Sequence, residues 1–393
     1  MFVLKTLGWV VLIVVLVLGG FVLLASNNPV LASRIAWPLV EWMALDDFVG
    51  ITTDGEVVTG LFEIKPTGVS TAPVVAAANA FLESLDADQR EAVMFAVDDL
   101  EWRRWANIHL SARQGVGLLD MTEAQKEAAH DLLRAGLSAR GYQTAVDIMK
   151  LEGHLADLMN DYEEYGEERY WFTIMGEPSP TEPWGWQLDG HHLIVNFFVL
   201  GDQVVMTPTF MGSEPPFAES GRFAGTRILE AETLDGLALV NALTPEQRAV
   251  AVLTEEKIQN NNYAELFSDN DLVPEEGLKL SELDEAQRGL AVRLIRNYTD
   301  QMRPGHAEVK LTEVISHWDD TYFAWVGKTD ADAVFYYRIQ SPVVLIEFDH
   351  QTPVALDGPD LPTRDHIHTV VRTPNGNDYG KDLLRQHLAA HPH

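Results

Sequence analysis

The sequence predicts an α+β fold in which a helix–helix–hairpin unit occurs twice, the two halves sharing one core, behind an N-terminal transmembrane helix. Three observations carry this expectation. Residues 7–25 are uninterruptedly apolar, one helix-start pattern recurs four times, and two aromatic-rich hairpins align without a gap.

The apolar run reads LGWVVLIVVLVLGGFVLLA, long enough to cross the hydrocarbon core of a bilayer as a helix. The stretch after it, Ala25-Ser-Asn-Asn-Pro29, lacks the small-x-small exit of a cleaved signal. An uncleaved anchor is therefore the first reading and a long signal peptide the second. Lys5 lies on the amino-terminal side of the run and acid-rich chain on the other. That bias puts the bulk of the chain outside the cytoplasm, in the periplasm for a bacterium. The membrane is thus an expected partner through residues 7–25. Residues 1–30 make the anchor, and 31–54 a juxtamembrane segment with Trp37 and Trp42 at the interface.

The helix starts are Asp86-Ala-Asp-Gln89, Thr122-Glu-Ala-Gln125, Thr244-Pro-Glu-Gln247 and Asp284-Glu-Ala-Gln287. Each places an Asp or Thr oxygen to accept from an orphan N–H of the first turn, with a Gln three residues on that reaches back to the cap. Leu85, Met121, Leu243 and Leu283 precede the caps, as a hydrophobic staple requires. Each pair of helices is followed by a strand-rich stretch, 172–198 and 323–349. Phe172 aligns with Phe323, Gly176 with Gly327, Trp186 with Tyr337, Leu188 with Ile339 and Phe197 with Phe348. The halves are then 55–235 and 236–393, the second ending in a strand and a helix. The aromatic cluster Trp171, Trp184, Trp186, Tyr322, Trp325, Tyr336 and Tyr337 reads as hairpin core. Trp102 and Trp105 read as a packing knot, and the acidic stretch 153–171 as a solvated helix face.

Charge and composition exclude several functions. With 59 acidic against 28 basic residues, the formal charge is −31, and no basic patch offsets it, so nucleic acid is not a partner. No cysteine is present, which removes disulfides, thiolate metal sites and a cysteine nucleophile. No nucleophile elbow, phosphate loop, dinucleotide fingerprint or HExxH pattern occurs.

Chemistry concentrates in two strands. In Gly190-His-His-Leu-Ile-Val-Asn-Phe197, alternation puts His191, Leu193, Val195 and Phe197 on a core face and His192, Ile194, Asn196 and Phe198 on the other. In Asp365-His-Ile-His-Thr-Val-Val-Arg372, His366 and His368 point the same way, with Arg372 on their face. His192, His366 and His368 are the candidate ligands of a divalent metal, zinc or iron. Glu347 is a candidate fourth ligand or general base, and Arg372 a candidate grip on an anionic substrate. His191, Asn196, Asp349, Asp365 and Asp378 are available as alternative ligands or to orient the imidazoles.

At these residues the chain resembles a known family, the proteins catalogued as domain of unknown function 3500. The resemblance rests on Gly60-Leu-Phe, the Trp102/Trp105/Asn107 segment, Pro183-Trp-Gly-Trp-Gln with Gly190-His-His-Leu, and Pro208-Thr-Phe-Met-Gly212. It continues through Ile346-Glu-Phe-Asp-His350, His366-Ile-His368 and Asp378-Tyr-Gly380. It implies that these motifs travel together, as parts of one site would. The family pattern has Asn where this chain has His350, so no fixed role attaches to that position. Two functions stay open at this level. One is an anchored extracytoplasmic metal-dependent hydrolase or oxidoreductase. The other is a non-catalytic module for a small-molecule or peptide ligand, with structural histidines.

Overall fold

The computed structural model describes residues 28–391. Its strands are β1 (Met94–Phe95), β2 (Val116–Gly117), β3 (Tyr170–Met175), β4 (Trp184–Gly190), β5 (Leu193–Leu200), β6 (Gln203–Val205) and β7 (Thr209–Ser213). β8 (Val252–Thr254), β9 (Leu278–Lys279), β10 (Tyr322–Gly327), β11 (Phe335–Ser341), β12 (Val344–His350) and β13 (Ile367–Arg372) follow. The helices are α1 (Pro29–Ala44), α2 (Ala72–Ser84), α3 (Ala87–Val93), α4 (Glu123–Gly136) and α5 (Ala139–Met159). Then come α6 (Glu230–Ala242), α7 (Pro245–Ala251), α8 (Glu285–Thr299), α9 (Pro304–Ser316) and α10 (Lys381–Ala390).

All 13 strands join one mixed sheet, in the order β1-β3-β4-β5-β7-β13-β12-β11-β10-β8, with β2 on β3, β6 on β5 and β9 on β10. The four expected helix starts are those of α3, α4, α7 and α8, and each carries a complete capping box. The glutamines also tie the helices together in pairs, Gln125 Nε2 donating to Gln89 Oε1 at 2.6 Å and Gln287 Nε2 to Gln247 Oε1 at 2.8 Å.

The two faces of the sheet differ in kind. A row running Leu193, Met211, Thr369, Phe348, Tyr337 and Trp325 across five strand pairings faces the helices. There it meets Phe81, Leu132, Ile148, Val240, Leu294 and Leu311 in the main apolar core. Trp184, Trp186, Trp325 and Tyr337 lie in that core, as their alternation requires. The other face is covered mainly by irregular chain and short 3-10 turns, with Leu383 and Leu384 of α10 joining them. Phe62, Trp102, Trp105, Ala264, Val273 and Tyr379 pack there on Ile194, Phe198, Phe210, Leu345 and Val370. Between these apolar patches the same face buries Gln187, Asn196, Arg338, Glu347, Asp349 and Arg372. Burial of so many polar groups requires internal partners for each, which irregular chain with free backbone N–H and C=O groups supplies better than helices do.

Two expectations are corrected. The first is the duplicated unit. The strands form one continuous sheet, and no helix–hairpin duplication is shown. α5 runs for 21 residues and α9, its counterpart in order, for 13. The aligned aromatic and aliphatic positions are those that any hairpin buried on one face must fill, so likeness of burial produced the match. The second is the membrane anchor. Among the described residues no helix is long and apolar enough to cross a membrane, and residues 7–25 lie outside the described part of the chain. Nothing supports membrane association through that segment or the extracytoplasmic placement inferred from it. Trp37, expected at an interface, is buried with its ring 6.0 Å from that of Phe267.

Candidate metal centre

Strand direction gathers the histidines. β5 pairs antiparallel with β7, and β7 with β13, so the start of β5, the end of β7 and the start of β13 share one end of the sheet. His192 immediately precedes β5, His366 immediately precedes β13, and His368 is its second residue. Gly212 of β7 lies between them. It is the register partner of His368, and its N–H donates to the His192 carbonyl at 2.9 Å. A Cβ on Gly212 would stand 3.0 Å from His368 Cδ2, 3.4 Å from His192 Cδ2 and 2.7 Å from the Ile367 carbonyl. The missing side chain is what lets two imidazoles from flanking strands lean together over the middle one. Gly212→Val is expected to push them apart and to weaken metal binding by at least about 10-fold. Isothermal titration with zinc checks this, and unchanged affinity would contradict the placement.

Each of the three rings has its Nδ1 tied to a group that only accepts. His192 Nδ1 meets Glu152 Oε2 at 2.8 Å, His366 Nδ1 meets the Thr352 carbonyl at 2.9 Å, and His368 Nδ1 meets Glu265 Oε1 at 2.5 Å. Carboxylates and carbonyls carry no proton to give, so all three Nδ1 atoms carry theirs and all three Nε2 atoms present lone pairs. Those Nε2 atoms are buried and without a hydrogen-bond partner. One ligand atom from each ring lies within 4.8 Å of the others. Exposure of the residues is 1, 3 and 7% for His192, His366 and His368. Lone pairs brought together in this way repel one another. A divalent cation held by the three rings would satisfy all of them. This buried His/Glu cluster can hold a metal ion.

The electrostatics agree with that tautomer. Burial raises the Glu152 carboxyl, but the imidazoles of His191 and His192 outweigh it and hold the group below the ordinary carboxylate range. Glu265 is likewise raised by burial and brought lower, on balance, by His368. Burial, then the neighbouring His368 and His192, keeps His366 well below the usual imidazole value, hence neutral and able to ligate.

Glu152 and Glu265 were not among the sequence-level candidates. Glu152 had a signal. It falls in α5 beside Ile148, Leu151 and Leu155, on the buried stripe, where a carboxylate needs a partner. It also takes His191 Nδ1 at 2.8 Å, so one carboxylate orients both members of the histidine pair. Glu265 lies in irregular chain and had none. Glu214 supports His366 from behind, its carboxylate receiving the N–H groups of Val354, Ala355 and Leu356 and lying 3.5 Å from His366 Nδ1.

The remaining sequence-level candidates lie around the cluster. Asn196 is buried, accepting from Gln187 Nε2 at 2.6 Å and donating to the Pro208 carbonyl at 2.8 Å. Asp349 receives the Asn261 N–H and Gln351 Nε2 and pairs with Lys257 at 3.0 Å, and burial pushes it up to about 7. Asp365 is exposed. Asp378, raised by burial to about 6, receives the Thr373 N–H and pairs with Arg372. Glu347 receives the N–H groups of Tyr263 and Ala264 and the Tyr336 hydroxyl. Arg372 is fully buried, bound to Asp269 at 2.6 Å and to the carbonyls of Ala264 and Glu265 at 2.9 and 2.7 Å. Neither side chain is left free for a substrate.

His350 faces the apolar core and takes the Phe335 N–H on Nδ1 at 3.0 Å. Burial pushes its pKa down to about 3. The native chain therefore binds fewer protons than the unfolded chain below the unfolded value of about 6.5. His350 thus costs stability progressively as pH falls from there toward 3. The unfolding free energy of His350→Asn relative to the parent is expected to improve by about 1.4 kcal/mol per pH unit across that range. Urea titrations at several pH values check this, and a pH-independent difference would contradict it.

No curated protein and no solved structure matches the chain. The family described as "Protein of unknown function (DUF3500)" matches residues 67–381. That span takes in the three histidines and every residue that orients them, and the chain belongs to this family.

Proposed function

We propose that the protein is a metal-dependent enzyme of the hydrolase type, with His192, His366 and His368 holding a divalent ion through Nε2. The observation that carries this reading is the set of three buried, unpartnered Nε2 atoms whose rings are each locked by an Nδ1 acceptor. Three protein ligands leave one tetrahedral position open, the catalytic form of a zinc site. The converging set is all imidazole. This favours zinc over the two-histidine, one-carboxylate arrangement of iron oxygen chemistry. A zinc ion bound there supplies a Lewis acid that brings the pKa of a water to about 7. The chain's own contribution is orientation and exclusion of bulk water. Glu152, Glu265 and the Thr352 carbonyl fix the three tautomers. Glu347 and Arg372 act as positioning residues, because both grip the 263–265 segment that carries Glu265.

The near-complete burial of the three rings favours a second reading, a structural ion in a binding module. p-Nitrophenyl acetate separates the two. The zinc-loaded chain is expected to hydrolyse it with a rate that rises through an apparent pKa near about 7 and that disappears in His366→Ala/His368→Ala. Stoichiometric zinc without hydrolysis would leave the structural reading. Absence of zinc binding would remove both.

A further inference from the structure

A cavity of about 700 Å³ lies on the opposite face of the sheet from the histidines. Thr209 and Met211 of β7, Thr369 and Val371 of β13, and Val344 and Ile346 of β12 line it from the sheet side. His368 and Thr369 are consecutive strand residues and project to opposite faces. The sheet therefore separates the cavity from the candidate metal centre, and a molecule in one does not touch the other. The volume suits one drug-sized molecule.

The lining sets the chemistry of that molecule. Beyond the aliphatic side chains it includes Met206, Met211 and Met302, adaptable thioethers that suit an apolar body. Its inner charges are already matched. Glu232 Oε1 pairs with Arg140 at 2.8 Å, and Lys310 Nζ pairs with Glu313 at 2.6 Å and donates to the Val343 carbonyl at 2.9 Å. His306 Nε2 meets the Asp202 carbonyl at 3.2 Å, and burial lowers its pKa, which keeps it neutral. An ionised group buried in the interior would find no free counter-charge, since Lys65, which lines the cavity outside any ion pair, is exposed, and its desolvation cost would go uncompensated. The hydroxyls of Thr209 and Thr369, on the sheet side, offer acceptors only, while the buried Thr299 hydroxyl and Gln301 side-chain oxygen, also in the lining, have no hydrogen-bond partner among the described residues. Thr209 Oγ1 gives its proton to the Met206 carbonyl at 2.6 Å and Thr369 Oγ1 gives its own to the Met211 carbonyl at 2.7 Å. A ligand that hydrogen-bonds them must bring the donor.

We propose that this cavity is a second binding site, independent of the metal centre, for a neutral and largely apolar small molecule bearing a hydroxyl donor, of the long-chain alcohol class. The probe is Nile red, titrated into the full chain and displaced by 1-dodecanol or by dodecanoate. Saturable binding is expected, with dodecanol displacing the dye at about 10-fold lower concentration than the carboxylate. Val371→Trp fills the cavity from the sheet and is expected to abolish dye binding while leaving the metal content unchanged. Val309, 39% exposed on α9 at the mouth, is the second position. Val309→Trp disturbs no core and carries the same expectation should Val371→Trp fail to fold. Absence of saturable dye binding, equal displacement by the carboxylate, or parent-like binding in Val309→Trp would each overturn the proposal.

Discussion

The His366→Ala/His368→Ala chain is expected to purify without metal and the parent with it, and the variant to unfold at a lower temperature than the metal-loaded parent. The double change removes two of the three converging lone pairs and leaves His192 with Glu152 and His191, a group in which the carboxylate is already taken up by the two Nδ1 atoms. An ion that binds only the native state, at 100 times its dissociation constant, contributes about 2.7 kcal/mol, and the variant forgoes that contribution. The sign with chelator present is the sharper part. In the metal-free parent three buried imidazoles bring ligand atoms within 4.8 Å of one another, and unprotonated nitrogens so placed repel. The stability gap between parent and variant is therefore expected to shrink or reverse once metal is stripped from both. Elemental analysis and thermal unfolding with and without chelator check both halves. Equal metal content in the two chains would remove the site.

Arg372→Met is expected to destabilise the chain by about 3–5 kcal/mol, the cost of breaking a buried ion network by removing one partner. The guanidinium sits over the Trp105 ring at 5.1 Å, bonded to Asp269 at 2.6 Å and 3.3 Å from Asp378. Asp269 retains Arg103 at 2.6 Å, but Asp378 keeps no other cation. Arg372 also holds the carbonyl of Glu265, whose carboxylate orients His368. The variant should therefore lose metal affinity as well as stability, although residue 372 touches no ligand atom. Chemical denaturation and zinc titration together test this. Loss of stability with parent-like affinity would show that the 263–265 segment is held by Glu347 alone.

What the sequence disclosed follows from how local each signal is. Capping boxes are complete within four residues, and all four helices begin where Asp86, Thr122, Thr244 and Asp284 place them. Strand alternation is equally local, so Leu193, Val195 and Phe197 could be put in the core, and His366 and His368 on one face. Bringing His192 to that pair needed only that both strands begin at the same end of one sheet. The partners that lock the rings were less legible. Glu152 belongs to a helix some forty positions upstream and Glu265 to chain without periodicity, and neither spacing encodes the contact. Glu347 and Arg372 were read as reactive because charge on a strand looks available. The covering loops, invisible to periodicity, consume both. The aligned hairpins misled for a related reason, since common burial imposes common residues whether or not the segments form a repeated unit.

Three imidazole nitrogens, from His192, His366 and His368, are expected to share one ion. X-ray absorption at the zinc edge of the zinc-loaded full chain measures this directly. Three imidazole scatterers at about 2.0–2.1 Å with one further light ligand are the expected result. A first sphere made of carboxylate oxygens, or one imidazole and water, would contradict it.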